Sequence, residues 1–186
     1  MIGALIGITD GADPARVRAA VAAGLPCVLL RANPLPHALL DLPVQLVLHA
    51  RDPDAHALAT AHGFGLHLAA DGDVARVRRT FRGLLSQSTH SPDAARAALA
   101  AGADWVFLSP IYRPTSKPDD LRPPLGPDAL AGIGPVVALG GVTPGRVAAC
   151  RAAGAIAVAV LGGIFDAADP AAATRRYLSY DQSTGS

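Results

Sequence analysis

Four times the chain repeats one twelve-residue phrase: DPARVRAAVAAG (13–24), DPDAHALATAHG (52–63), SPDAARAALAAG (91–102) and TPGRVAACRAAG (143–154). Each copy opens with Asp, Ser or Thr followed by Pro, and each closes on Gly. The pattern is that of one helix. A short oxygen-bearing side chain caps the first N–H groups, and Pro takes the first helical position, where its missing N–H costs nothing. The closing Gly adopts the left-handed conformation that stops the helix. After each Gly comes an apolar run (25–30, 64–68, 104–108 and 155–161) that reads as a strand. The interval between copies has room for two strand–helix units, so the chain implies about eight strands and a (β/α)8 TIM barrel.

Strands are expected at Ile2–Ile8, Cys27–Arg31, Val44–His49, Phe64–Leu68, Gly83–Ser88, Trp105–Ser109, Val136–Leu139 and Ala155–Leu161. Most are continuous apolar runs, as parallel strands covered by helices require. Further helices are expected over 72–80, 126–131 and from Asp169 to Tyr177. At 186 residues the chain reads as one barrel domain over 1–178, with a polar tail over 179–186. It is short for a fold that usually needs ~200 residues or more. The second crossover is where the shortening falls: the stretch from Ala32 to Pro43 contains Pro34, Pro36 and Pro43 and has room for one turn around His37–Leu40. A second copy of the chain is one way to cover the gap, which would make the protein a homo-oligomer.

Composition narrows the function classes. The net charge of +1 argues against bulk binding to nucleic acid or an anionic membrane. No apolar stretch reaches the ~18 residues of a membrane span, so a cytoplasmic protein is expected. Cys27 and Cys150 read as two buried thiols, with no metal-ligand spacing.

In such a barrel the chemistry sits at the C-terminal ends of the strands, with phosphate commonly bound after strands seven and eight. Gly140-Gly141 and Gly162-Gly163 occupy those two ends, where paired glycines let backbone N–H groups approach an anion. The bland alternative is two tight strand-to-helix turns. Lys117 is the only lysine among sixteen Lys and Arg residues. It lies in the long, proline-rich connection 111–124 with Arg113, Thr115, Ser116 and Arg122, a composition suited either to gripping an anion or to a solvated loop. Arg31 and Arg51 follow strands two and three and should reach the same rim, where arginine forks suit phosphate oxygens. Ser88 and His90 stand at the end of strand five. His49 and His67 end strands three and four, as a catalytic base or as hydrogen-bonded rim histidines.

From here the residues resemble the family of thiamine phosphate synthase and its TenI-like relatives. The resemblance rests on Ser-Thr-His at 88–90, GADWVFLSPIYRPTSKP (102–118), PLG (124–126), VVALGGVTP (136–144) and VAVLGGIF (158–165). It implies a transferase of thiamine biosynthesis that joins hydroxymethylpyrimidine pyrophosphate to thiazole phosphate and releases pyrophosphate. By the same resemblance, Lys117 and Arg31 hold pyrophosphate, Ser88 contacts the pyrimidine, and the glycine pairs hold the thiazole phosphate. The family's Mg2+ is also implied, but the usual aspartate positions are Ala50 and Gly72 here, leaving Asp71 and Asp73 as substitutes. The family's Gln and Lys flanking Arg31 are Leu29 and Asn33, and its thiazole-phosphate serine reads Gly162. The TenI-like branch isomerises a thiazole phosphate without metal. Its histidine falls on Pro110, so His90 or His49 would have to replace it. A barrel that binds a phosphorylated ligand without turnover is the third reading.

Overall fold

The computed structural model describes residues 2–113 and 122–181. Eight parallel strands close into a barrel in sequence order: β1 (Leu5–Thr9), β2 (Cys27–Leu30), β3 (Gln45–His49), β4 (Gly65–Leu68), β5 (Leu85–Thr89), β6 (Trp105–Leu108), β7 (Val136–Leu139) and β8 (Ala157–Val160). Every expected strand is present, within a few residues of its expected ends.

The helical phrases form as α1 (Pro14–Ala22), α2 (Ala55–His62), α4 (Pro92–Ala100) and α5 (Val147–Ala152). Shorter α3 (Val74–Arg78) follows β4, while α6 (Gly162–Phe165) and α7 (Pro170–Asp181) follow β8. The segment 126–131 contains only a 3-10 turn, Pro127–Leu130. Three caps follow the sequence rule. Asp13 Oδ1 accepts from the Ala15 and Arg16 amides at 3.1 and 3.3 Å, Ser91 Oγ from Ala94 at 3.2 Å, and Asp169 Oδ1 from Ala172 at 2.9 Å. All four closing glycines have positive φ, between 71° and 108°.

Two caps depart from it. Thr143 makes no capping hydrogen bond, and its phrase splits into a 3-10 turn, Pro144–Arg146, before α5; Gly145 sits in that turn, where a regular helix is penalised. The Asp52 carboxylate is spent elsewhere. Oδ2 accepts from the Leu35 amide and Oδ1 from the Asp54 amide, both at 2.8 Å, and α2 begins later without a side-chain cap.

Alternate strand residues face opposite ways, producing two apolar clusters. Ile6, Ile8, Cys27, Leu29, Val47, Trp105, Phe107, Val137, Ala157 and Ala159 fill the barrel interior. The other face carries Val28, Leu30, Leu46, Leu48, Leu66, Val106 and Val158, packed with the helices into a larger cluster. Burial on both faces is why the strands read as unbroken apolar runs.

The shortened second crossover contains one 3-10 turn, His37–Leu39, as expected. Its Leu35, Leu39 and Leu42 belong to the same cluster as the outward residues of β2 and β3, which are at most 1% exposed. Those two strands are therefore covered from within the chain. Leu39→Ala should lower stability by about 2–5 kcal/mol through the cavity it leaves. The half-buried Leu40→Ala should cost clearly less, read from urea midpoints at unchanged slope.

Candidate active site

Strand register brings the chain's inward polar residues together. His49 of β3 is level with His67 of β4, His67 with Ser86 of β5, and Ser88 with Phe107 of β6. His67 is 2% exposed and bridges two serines: Nδ1 lies 2.9 Å from Ser86 Oγ and Nε2 2.9 Å from Ser88 Oγ. Its ring stands edge-on to Phe107 at 4.7 Å and to His49 at 5.3 Å. Burial, with the charges of His49 and Arg31 adding to it, pushes the His67 pKa from its ordinary 6.5 to about 3. His67 is thus a neutral bridge that orients Ser88.

His49 is held by its own loop. Its Nδ1 accepts the Arg51 amide at 3.0 Å, so the ring proton resides on Nε2. Burial first, then Arg31 and Arg51, lowers its pKa to about 4.

Above these residues opens a cavity of about 280 Å³. Of the residues expected there, Arg31, His49, Arg51, His67, Ser88, His90, Arg122 and Gly140 line it, joined by Ser109 and Pro110. Ser116 and Lys117 lie outside the described residues. Gly141, Gly162 and Gly163 sit at the expected strand ends but not in the lining. Each glycine pair also has a packing role. A Cβ on Gly140, at φ 91°, would come within 2.8 Å of Pro110 Cα, and one on Gly163 would collide with the Tyr177 hydroxyl.

His90 Nδ1 donates to the Ser109 carbonyl at 2.9 Å, and its Nε2 lies 3.0 Å from Arg122 Nη1. Arg122 Nη1 stands against the same ring edge, 2.8 Å from His90 Nδ1, so His90 is covered by Ser109 and Arg122 together. Ser86 and Ser109 were not singled out from sequence. Ser86 was legible as the residue two before Ser88, facing the same way; Ser109 carried no signal beyond its place after β6.

Magnesium requires oxygen ligands, carboxylates above all. Among the described residues the cavity lining contains no carboxylate, and no three His, Cys, Asp or Glu side chains gather to hold a metal. Asp73 caps α3 through the Arg76 amide at 2.9 Å, and Asp71 is exposed and outside the lining. Neither lines the cavity. The described residues do not fit the metal that the resemblance implied.

The thiamine monophosphate synthase family model matches residues 5–164. The chain belongs to that family. It is 35% identical to the thiamine-phosphate synthase of Anaeromyxobacter dehalogenans over 94% of this chain and 86% of that protein. It is 37% identical to the thiamine biosynthesis bifunctional protein ThiM/ThiE of Symbiobacterium thermophilum, over 92% of this chain and only 39% of that longer protein. The fold matches thiamine phosphate pyrophosphorylase from Pyrococcus furiosus with a TM-score of 0.80 at 18% identity, covering 98% and 97% of the two chains.

Both site histidines have folded-state pKa values below the ordinary 6.5, so below that pH the unfolded chain binds more protons than the folded one. Their contribution is fully present above pH 6.5 and is lost on acidification through about 4 and about 3. Stability should therefore fall by up to ~1.4 kcal/mol per pH unit for each histidine across that window. His67→Asn should flatten the acid limb of a urea-midpoint profile; an unchanged slope would contradict the buried neutral bridge.

Proposed function

We propose that this chain forms thiamine phosphate from hydroxymethylpyrimidine pyrophosphate and thiazole phosphate. In that step the bond between the pyrimidine methylene carbon and the pyrophosphate oxygen breaks, and its electron pair leaves with pyrophosphate. The lone pair of the thiazole ring nitrogen then forms the new carbon–nitrogen bond. Arg31 and Lys117 hold the departing anion, as arginine and lysine suit phosphoryl oxygens. Ser88, its hydroxyl oriented by His67, touches the pyrimidine. Backbone amides around Gly140-Gly141 and Gly162-Gly163 take the thiazole phosphate, and His90 and Ser116 border the substrates.

The observation that carries this reading is a cavity lined by cationic side chains, whose histidine rings are, among the described residues, all engaged by protein partners. Isomerising a thiazole phosphate requires a group that removes a proton. Yet His49 Nδ1 is occupied by the Arg51 amide, and the His90 ring is covered by the Ser109 carbonyl and by Arg122. Joining the two rings demands no such group: it requires stabilisation of the charge that develops on the leaving pyrophosphate. Family membership and the named synthases it resembles support the same choice.

Purified protein given both substrates should release thiamine phosphate and pyrophosphate. Lys117→Ala should lower kcat/KM by about 10²–10³-fold, the range for removing one charge-stabilising donor. Bound thiazole phosphate without product would overturn the synthase and leave a ligand-binding barrel.

A further inference from the structure

Asn33, Leu35, His49, Arg51 and Asp52 form one braced unit at the mouth of the cavity. The Arg51 amide donates to His49 Nδ1 at 3.0 Å, and the Arg51 carbonyl accepts from Asn33 Nδ2 at 3.4 Å. The next residue, Asp52, is 6% exposed, and its two oxygens are held by the Leu35 and Asp54 amides. The backbone of Arg51 is thus fixed on both sides. The nearest carboxylate in sequence is meanwhile buried and committed to amides, not to the guanidinium.

Arg31 and Arg51 both line the cavity with His49, whose Nε2 carries the ring proton. Neither arginine has an ion-pair partner among the described residues, where pairs form only at Arg18, Arg78 and Arg96. Among the described residues the cavity lining offers guanidinium, imidazole and serine hydroxyl donors and no carboxylate. Guanidinium forks match pairs of phosphoryl oxygens, and a neutral imidazole N–H adds a donor without a proton to lose.

Resting on the synthase reading, we infer that this chain holds pyrophosphate without a divalent metal, with Arg51 completing a clamp formed with Arg31 and the Nε2–H of His49. Arg51 is the new element. The clamp stabilises charge where a metal would otherwise be needed.

The test is calorimetric titration of the full chain with inorganic pyrophosphate in the presence of EDTA. Binding is expected in EDTA, and adding magnesium, which itself complexes pyrophosphate, should leave it equal or weaker. Arg51→Gln and Arg31→Gln should each weaken it by about 10–100-fold, the worth of a charged hydrogen bond. The exposed Arg175→Gln on α7 controls for total charge and should bind as the parent does. Thermal melting of each variant separates lost binding from lost fold. Binding that appears only with magnesium, or a folded Arg51→Gln that binds as tightly as the parent, would overturn the clamp. Thiamine phosphate formation is scored separately. Turnover that strictly requires magnesium, with no pyrophosphate binding in EDTA, would sink the clamp and leave the synthase. Metal-free binding without turnover would do the reverse.

Discussion

Closure of the sheet is the constraint on which everything else rests. β1 pairs with both β2 and β8, so no strand has a free edge and each has one face turned toward a narrow interior. The inward positions must be filled by side chains, and outward positions must be covered by helices or loops. Lower in the barrel the filling is aliphatic and aromatic. Around β3, β4 and β5 it becomes polar, and there water is excluded, so each polar group has to find its partner inside the protein. His67 meets that demand by taking a serine on each ring nitrogen. The bridge is structural first, and its second effect is to fix the hydroxyl that the substrate would meet.

The same enclosure sets the charge distribution. Burial keeps His49 and His67 neutral beside two arginines, so the floor of the cavity is uncharged while its rim is cationic. Such an arrangement concentrates positive potential at the opening, where low-dielectric walls strengthen it. It suits a small, highly anionic substrate.

Legibility in the sequence followed the range of the interactions involved. The strands, the helix phrases and the shortened crossover depend on local signals: apolar runs, Pro after a capping residue, Gly at the end. These predicted the barrel, and Leu35, Leu39 and Leu42 filled the crossover as one turn would allow. Caps were less secure, since an Asp-Pro pair announces a helix start only while no distant amide competes for the carboxylate. Asp52 lost that competition to Leu35, seventeen residues away. The site was half legible. Arg31, His49, Ser88, His90 and Gly140 do converge, because strand ends in a barrel converge by construction. The serine bridge through His67 was not legible, because it depends on the register between neighbouring strands, which no single strand encodes. Of the two aspartates suggested for magnesium, Asp73 caps its own helix, because proximity in sequence does not aim a carboxylate.

Asp52 also shows how the length of one connection reaches the chemistry of another. In the short second crossover the Leu35 amide comes down beside β3 and draws in a carboxylate that would otherwise start α2. Inserting an ordinary helix between Asn33 and Pro43 would carry that amide away. Asp52 would then be left with the Asp54 amide alone, one of its oxygens unengaged beside Arg51. The length of a connection on the outside of the barrel and the freedom of a carboxylate beside the cavity are in this way tied together.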